Sequence, residues 1–199
     1  MPRTTEANQQ IRDERRDQIL TVAKELFLAK GLSSLKIGDL AKALDMSQGL
    51  LYRYFTNKEA VFATIVEQAT SSMMSQFMAL TETATPGQRL HQLIELLLAD
   101  IRRNPGRHQI ILQALAQPGK AHQKVQEMTS YLKEHLLQLI TEAQATGEAT
   151  SGNPNSLAVL LLSCLQGLAS SIDYFIDSDD ASFPCADLLW RIFQPGHQP

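Results

Sequence analysis

An all-α protein is the fold class this sequence predicts, on three observations. Apolar residues recur at helical spacing through most of its 199 residues. No stretch sustains the period-two alternation of a half-buried strand. The breaks between periodic segments carry helix-ending or turn chemistry, at Gly31, TATPGQ, NPG, QPGK and TGEATSGNPN. A content of 44% hydrophobic and 20% charged residues is that of an ordinary globular chain.

The elements follow in order. Ile19, Ala23, Leu26 and Phe27 sit at i, i+4, i+7 and i+8, and Gly31 stops this first helix. Ile37, Leu40, Ala41 and Leu44 make a second, shorter one. DMS is a turn, and the Ser47 hydroxyl is suited to cap a third short helix. TNKE reads as a capping box, with Thr56 as cap and Glu59 reaching back, and opens a helix to about Leu80. Further helices are expected over about Gln88 to Arg103, His108 to Ala116 and Ala121 to Ala145. Pro154 suits the first turn of the next, from about Asn155 to Ile176, and a last one runs to about Phe193. Three short helices form a front domain, 10–57, and about six form a body, 58–199.

The net charge of −3 hides an asymmetry. Residues 1–58 carry ten Lys/Arg against seven Asp/Glu, a net of +3, and the remainder eight against fourteen, a net of −6. A basic front on an acidic body implies that the front end meets a polyanion. Cys164 and Cys185 have no CxxC neighbour, which fits a reducing compartment. The first residues lack the apolar core of a secretory signal. The most apolar run, SLAVLLLSCLQGLAS, is interrupted by Ser163, Gln166 and Gly167, and is shorter than the roughly 18 residues a membrane span needs. The expectation is a soluble cytoplasmic protein with no membrane contact.

HExxH, GxSxG, a P-loop, paired CxxC and paired Glu-x-x-His are all missing. No enzyme activity, catalytic residue, cofactor or metal is therefore expected. His91 and Glu95 share a helix face at i, i+4, and this pair reads as a surface or pocket-edge pair rather than a metal site.

A helix, a tight turn and a second short helix is the helix-turn-helix plan, whose second helix lies in the major groove of DNA. At ~100° per residue, Leu51 and Phe55 fall on the core side of that helix and Gly49, Leu50 and Arg53 on the far side. Tyr52 and Tyr54 fall on opposite flanks, with Gln48 at the tip. Outer side chains then reach base edges, and the tyrosine hydroxyls reach phosphates. Gly49 lets the backbone approach closely, and Lys58 adds a phosphate contact beside the positive end of its own helix.

Residues 19–62, ILTVAKELFLAKGLSSLKIGDLAKALDMSQGLLYRYFTNKEAVF, resemble the N-terminal domain of TetR-type (tetracycline-repressor-like) transcriptional regulators. The resemblance rests on Ile19, Ala23, Phe27 and Gly31, on Ile37, Asp39, Leu40 and Ala41, and on Ser47, Gly49, Leu51, Tyr52, Tyr54, Phe55, Lys58 and Glu59. It covers about the first third of the chain. Three positions depart from the family pattern. Lys36 stands where a capping Thr is usual, so the cap passes to Ser34 or is lost, although Lys36 still reaches phosphate as a point charge. Asp45 stands where a turn Gly is usual, and Asp tolerates the left-handed conformation better than most residues. Leu50 replaces a small or hydroxylated residue and would read a thymine methyl. The DNA-binding set is then Lys36, Ser47, Gln48, Gly49, Leu50, Tyr52, Arg53, Tyr54 and Lys58.

The helix from Asn155 is apolar on two faces, and Ser163, Gly167, Ser170 and Ser171 would allow close helix contact. The resemblance implies that it pairs, with the last helix, against a second copy. Leu161, Leu165, Leu168, Ile172, Leu189, Trp190 and Phe193 are the expected interface of a homodimer. The resemblance also implies a small-molecule effector cavity in the body. Its candidate lining is Met73, Met74, Phe77 and Met78, with Gln113, Tyr131 and His135 as polar contacts, and plain core packing is the competing role for each. The function implied is a ligand-released repressor that binds a palindromic double-stranded operator as a homodimer. The alternatives are an effector-independent DNA-binding protein acting through protein partners, and a helical-bundle metal protein or enzyme.

Overall fold

The computed structural model describes residues 5–78, 84–175 and 183–195, with the backbone alone at 5 and 172–175. Nine helices and no strand lie among the described residues. They are α1 (Thr5–Ser34), α2 (Ile37–Ala43), α3 (Gln48–Leu51), α4 (Lys58–Met78), α5 (Pro86–Arg103), α6 (Pro105–Leu115), α7 (Lys120–Ala145), α8 (Pro154–Phe175) and α9 (Ala186–Trp190). The all-α expectation holds, as does the order of three helices followed by six. Leu80 and Ile176, the expected ends of two helices, lie outside the described residues.

Several helix starts differ from the sequence reading, each for a capping reason. α5 begins at Pro86 because Thr85 Oγ1 accepts from the Gln88 N–H at 3.3 Å and Gln88 Oε1 accepts from the Thr85 N–H at 3.0 Å. α6 begins at Pro105, whose missing N–H costs nothing in a first turn. The cap of α4 is Asn57 rather than Thr56, since Asn57 Oδ1 accepts from the Ala60 N–H at 2.7 Å. α1 starts at Thr5, and its first buried side chain is Ile19. Side-chain pairs at i, i+4, Gln9 with Asp13 (2.9 Å) and Gln10 with Glu14 (3.1 Å), support this polar overhang.

The described residues divide into two compact units. Those up to Ala69 form one together with Ile110–Lys124, and Thr70–Gln109 with the residues from Val125 onward form the other. In the first unit Ile19, Ala23 and Phe27 of α1, Leu40 of α2, Leu51 and Phe62 are almost fully buried. Phe27 and Phe62 meet edge to face at 5.0 Å. Each such side chain contributes about 1.5–3 kcal/mol on burial.

The break in α1 falls at Gly31, with φ of +75°, a conformation that a Cβ would strain. Three side chains converge on this break. Gln113 of α6 donates to the Phe27 carbonyl (3.0 Å) and accepts from the Leu32 N–H (3.2 Å), spanning it. Gln117 donates to the Ser33 hydroxyl. Lys58 Nζ donates to the carbonyls of Leu32 (2.8 Å), Ser33 (3.2 Å) and Leu35 (2.8 Å). Gln113→Met keeps the volume and removes both hydrogen bonds. At about 0.5–1.5 kcal/mol each, urea denaturation should show a loss of about 1–3 kcal/mol.

In the second unit α5 packs against α8 and α9. Its core holds Leu90, Leu93 and Ile94 of α5, Leu136, Leu139 and Ile140 of α7, Ala158 and Leu161 of α8, and Phe193. A buried polar cluster stands at the α5–α6 corner. Asp100, 3% exposed, accepts from Arg107 Nη1 at 2.6 Å and Asn104 Nδ2 at 2.9 Å, and meets His108 Nε2 at 3.1 Å.

Candidate DNA-binding site

Helix α2 starts without a side-chain cap on Lys36. Asp39 Oδ2 accepts from the Lys36 N–H at 3.2 Å, so half of a capping box survives from the helix side. The turn to α3 places Asp45 at φ +50°, the left-handed conformation its short polar side chain tolerates. The Met46 N–H then bonds back to the Ala41 carbonyl at 2.9 Å. Ser47 caps α3, its Oγ accepting from the Leu50 N–H at 3.2 Å.

Regular α-helix lasts only four residues here. Arg53 N–H bonds to the Leu50 carbonyl and Tyr54 N–H to the Leu51 carbonyl, both i to i+3, so the chain tightens after Leu51. The Leu51 carbonyl accepts from both Tyr54 (3.0 Å) and Phe55 (3.1 Å), and this tightening draws Tyr54 towards the side of buried Leu51. This is why Tyr54 is half-buried rather than standing on an open flank. Leu51 and Phe55 are buried as expected, and the Arg16 guanidinium lies 4.9 Å from the centre of the Phe55 ring. Gln48, Gly49, Leu50, Tyr52 and Arg53 are exposed, as is Lys36. Tyr52 is 49% exposed and Leu50 39%, high values for large apolar or aromatic side chains.

Lys58 has a different position from the one its sequence context suggests. Its ammonium group carries three protons and meets three backbone carbonyls at the end of α1. It therefore ties α4 to α1 in this structure. The residues next to Lys58 in sequence give no sign of the carbonyls that meet it, because Leu32, Ser33 and Leu35 lie more than 20 residues away.

The residues expected around an effector differ in burial and in the groups they meet. Gln113 belongs to the first unit, where both ends of its amide are engaged with α1. Met73 and Phe77 are buried, Met74 is half-buried and Met78 is 69% exposed. Tyr131, 38% exposed, stacks on His135 with ring centres 6.2 Å apart. Burial, and then the nearby Arg89 charge, push the His135 pKa down. A hollow of about 860 Å³ opens instead along α5, lined by Gln88, His91, Glu95, Glu148 and Trp190 among others. There His91 Nε2 meets Asp187 Oδ1 at 2.9 Å, and its ring stands edge to face with Trp190 at 5.7 Å. None of the seven candidate effector residues lines it. Among the described residues no group of three or more His, Cys, Asp or Glu is arranged to hold a metal ion.

The expected dimer residues differ in their exposure within the single chain. Leu161, Leu165 and Phe193 are 1%, 6% and 0% exposed within the single chain, because they fill the core of the second unit. Leu168, Leu189 and Trp190 are half-buried, and the side chain of Ile172 lies outside the described residues. The outward face of α8 is rotated from the expected one. It carries Val159 (48% exposed) and Leu160 (44%), with exposed Ser163, Gly167 and Ser170 following at helical spacing. Leu188 (54%) and Ile192 (38%) continue the apolar exposure on and just after α9. Hydrophobicity alone did not separate the two faces of α8, since both are apolar.

A capped four-residue helix with exposed Gln48, Gly49, Leu50, Tyr52 and Arg53, set by a tight turn against α2, defines a helix-turn-helix DNA-binding protein. Residues 19–65 match the family described as bacterial regulatory proteins, tetR family, and residues 83–170 match the tetracyclin repressor-like C-terminal domain. The chain belongs to the TetR family of transcriptional regulators. The nucleoid occlusion factor SlmA of Vibrio cholerae is 27% identical over 89% of this chain and 93% of its own. A TetR/AcrR-family regulator from Thermobifida fusca is 25% identical, covers 94% of this chain and 100% of its own, and superposes with a TM-score of 0.67. AibR, solved in complex with isovaleryl coenzyme A and operator DNA, is 18% identical, covers 89% of this chain and 94% of its own, and has a TM-score of 0.70. At that identity the likeness concerns the fold. Among the described residues, no helix is long and apolar enough to cross a membrane.

Proposed function

We propose that this regulator is a homodimeric repressor that binds a palindromic operator and is released by a small-molecule effector. The observation that carries the DNA-reading part is the exposed set Gln48, Gly49, Leu50, Tyr52 and Arg53 on and just after the Ser47-capped helix. Leu50 offers a methyl contact to thymine, and Arg53 offers donors to guanine. Tyr52 and Lys36 serve the phosphates, with the start of α4 beside them. Tyr54 contributes less because it is half-buried, and Lys58 acts by fixing α4 against α1. Val159 and Leu160 on α8, with Leu188 and Ile192 on and just after α9, are exposed large apolar side chains and support the homodimer, since such residues gain by meeting a partner. Two recognition helices then enter successive major grooves ~34–36 Å apart, or a multiple of that. An effector acts by favouring a dimer whose heads are wrongly spaced.

Two substitutions test the assignment of roles. Tyr52→Phe should weaken binding by about five- to tenfold on every sequence, the worth of one hydrogen bond. Arg53→Ala should change which sequences are preferred, by about 1–3 kcal/mol at one base pair per half-site. An even loss across a sequence library for Arg53→Ala makes Arg53 a phosphate contact instead.

A second reading, a DNA-binding protein that works through protein partners without an effector, is favoured by one observation. A relative similar along nearly the whole chain carries the name nucleoid occlusion factor. Thermal shift with a panel of small metabolites, including acyl-coenzyme A thioesters, separates the two. A compound that raises the melting temperature and lowers operator affinity supports the first reading, and its absence from a broad panel supports the second.

A further inference from the structure

We propose that Gly38 is a positioning residue for base readout, acting through Gln48. The inference rests on the DNA-reading role proposed for α3. Gly38 occupies the second position of α2, inside a helix, where glycine is a poor choice for stability. Its φ is not positive, so the backbone there does not require glycine. What the missing Cβ allows is a close approach. A Cβ built on Gly38 would stand 3.0 Å from Gln48 Nε2 and 3.7 Å from Gln48 Cδ. Ordinary packing contacts are about 3.5–4.0 Å, so the Gln48 amide would have to retreat by a few tenths of an ångström.

Gln48 is the first residue of α3, its side chain exposed, at the tip of the element assigned to the major groove. A glutamine amide recognises adenine by a paired donor and acceptor, and such bonds weaken steeply with displacement and misalignment. The first turn of α2 thus serves as the rest against which the Gln48 amide lies before it meets a base. A residue that would never touch DNA sets the aim of one that does. The Met46 N–H donates to the Ala41 carbonyl at 2.9 Å and the Leu50 N–H to the Ser47 Oγ at 3.2 Å, so the backbones that carry Gly38 and Gln48 are held by the turn rather than by a flexible loop.

The test is a selection of genomic fragments by the purified full-length protein, its Gly38→Ala and Gln48→Ala variants and the double variant, with thermal melts of each. The wild type should enrich an inverted repeat. Gln48→Ala should lose discrimination at one base pair in each half-site. Gly38→Ala should melt at or above the wild-type temperature, yet lose discrimination at that same base pair by on the order of tenfold. The double variant should match Gln48→Ala. If Gly38→Ala keeps the wild-type preference where Gln48→Ala has lost it, Gly38 does not position Gln48. A further loss in the double variant beyond Gln48→Ala overturns the proposal as well, because Gly38 would then act by another route. If the wild type enriches no repeat, the DNA-reading role itself fails, and that is seen before any variant is compared.

Discussion

Replacing Asp100 by Ala should destabilise the protein by about 3–5 kcal/mol, the cost of breaking a buried charge pair from one side. For a chain of this length that is a drop in melting temperature of roughly 6–20 °C. Asp100 carries the negative charge of the α5–α6 corner, and Arg107 and His108 are 14% and 15% exposed beside it. Removal leaves the Arg107 guanidinium largely buried, and among the described residues a 3.5 Å contact to Ser72 Oγ remains. The triple variant Asp100→Leu, Arg107→Met, His108→Leu should lie closer to wild type than Asp100→Ala, because no uncompensated charge remains. Burial alone would raise the Asp100 pKa. The hydrogen bond with His108 and the charge of Arg107 override it and hold the carboxyl below its ordinary value. A depressed carboxylate contributes stability that is present above its unfolded pKa, near 4, and is lost as the pH falls through the folded value. Wild type should therefore lose stability on acidification below about pH 4 more steeply than Asp100→Asn. Chemical denaturation at a series of pH values measures it.

Leu160→Glu should leave the protein folded but monomeric, and should lower operator affinity by about 10²–10⁴-fold. Leu160 is 44% exposed on the outward face of α8, so the substitution buries no charge in the single chain. In a two-fold dimer the same residue recurs on both subunits, and two carboxylates meet an apolar partner face. The loss in affinity is the loss of bivalency, since a lone half-site reader forfeits the effective concentration of its tethered twin. Sedimentation gives the mass and a binding titration gives the affinity. A dimeric Leu160→Glu protein would place the interface elsewhere. Leu161→Glu makes the contrast, because Leu161 is buried in the core and its loss should unfold the chain.

Much of the fold was legible because local chemistry fixes helices. Ser47 as a cap, Asp45 in the left-handed turn, and Leu51 and Phe55 as core plugs could all be read from short spacings. What escaped was set over longer distances. Asp100 looks like a polar interruption in an apolar helix, and its partners at i+7 and i+8 reach it only because Asn104 and Pro105 turn the chain. Gln113 lies more than 80 residues from the α1 carbonyl it holds, so nothing near it in sequence separates a clip from an effector contact. The tightening after Leu51 turned Tyr54 inward, which a uniform helical rotation does not foresee. The two faces of α8 are both apolar, and only packing decides which one is left outside.

On the proposed function, the front helices read a specific sequence as a symmetric pair. Selection of genomic fragments by purified protein at physiological salt tests it most directly. The expected result is an enriched inverted repeat with half-site centres one helical turn apart, ~34–36 Å, or a multiple of it. Binding that falls steeply with salt and shows no preference among fragments would contradict it, because contacts to phosphate alone give that behaviour.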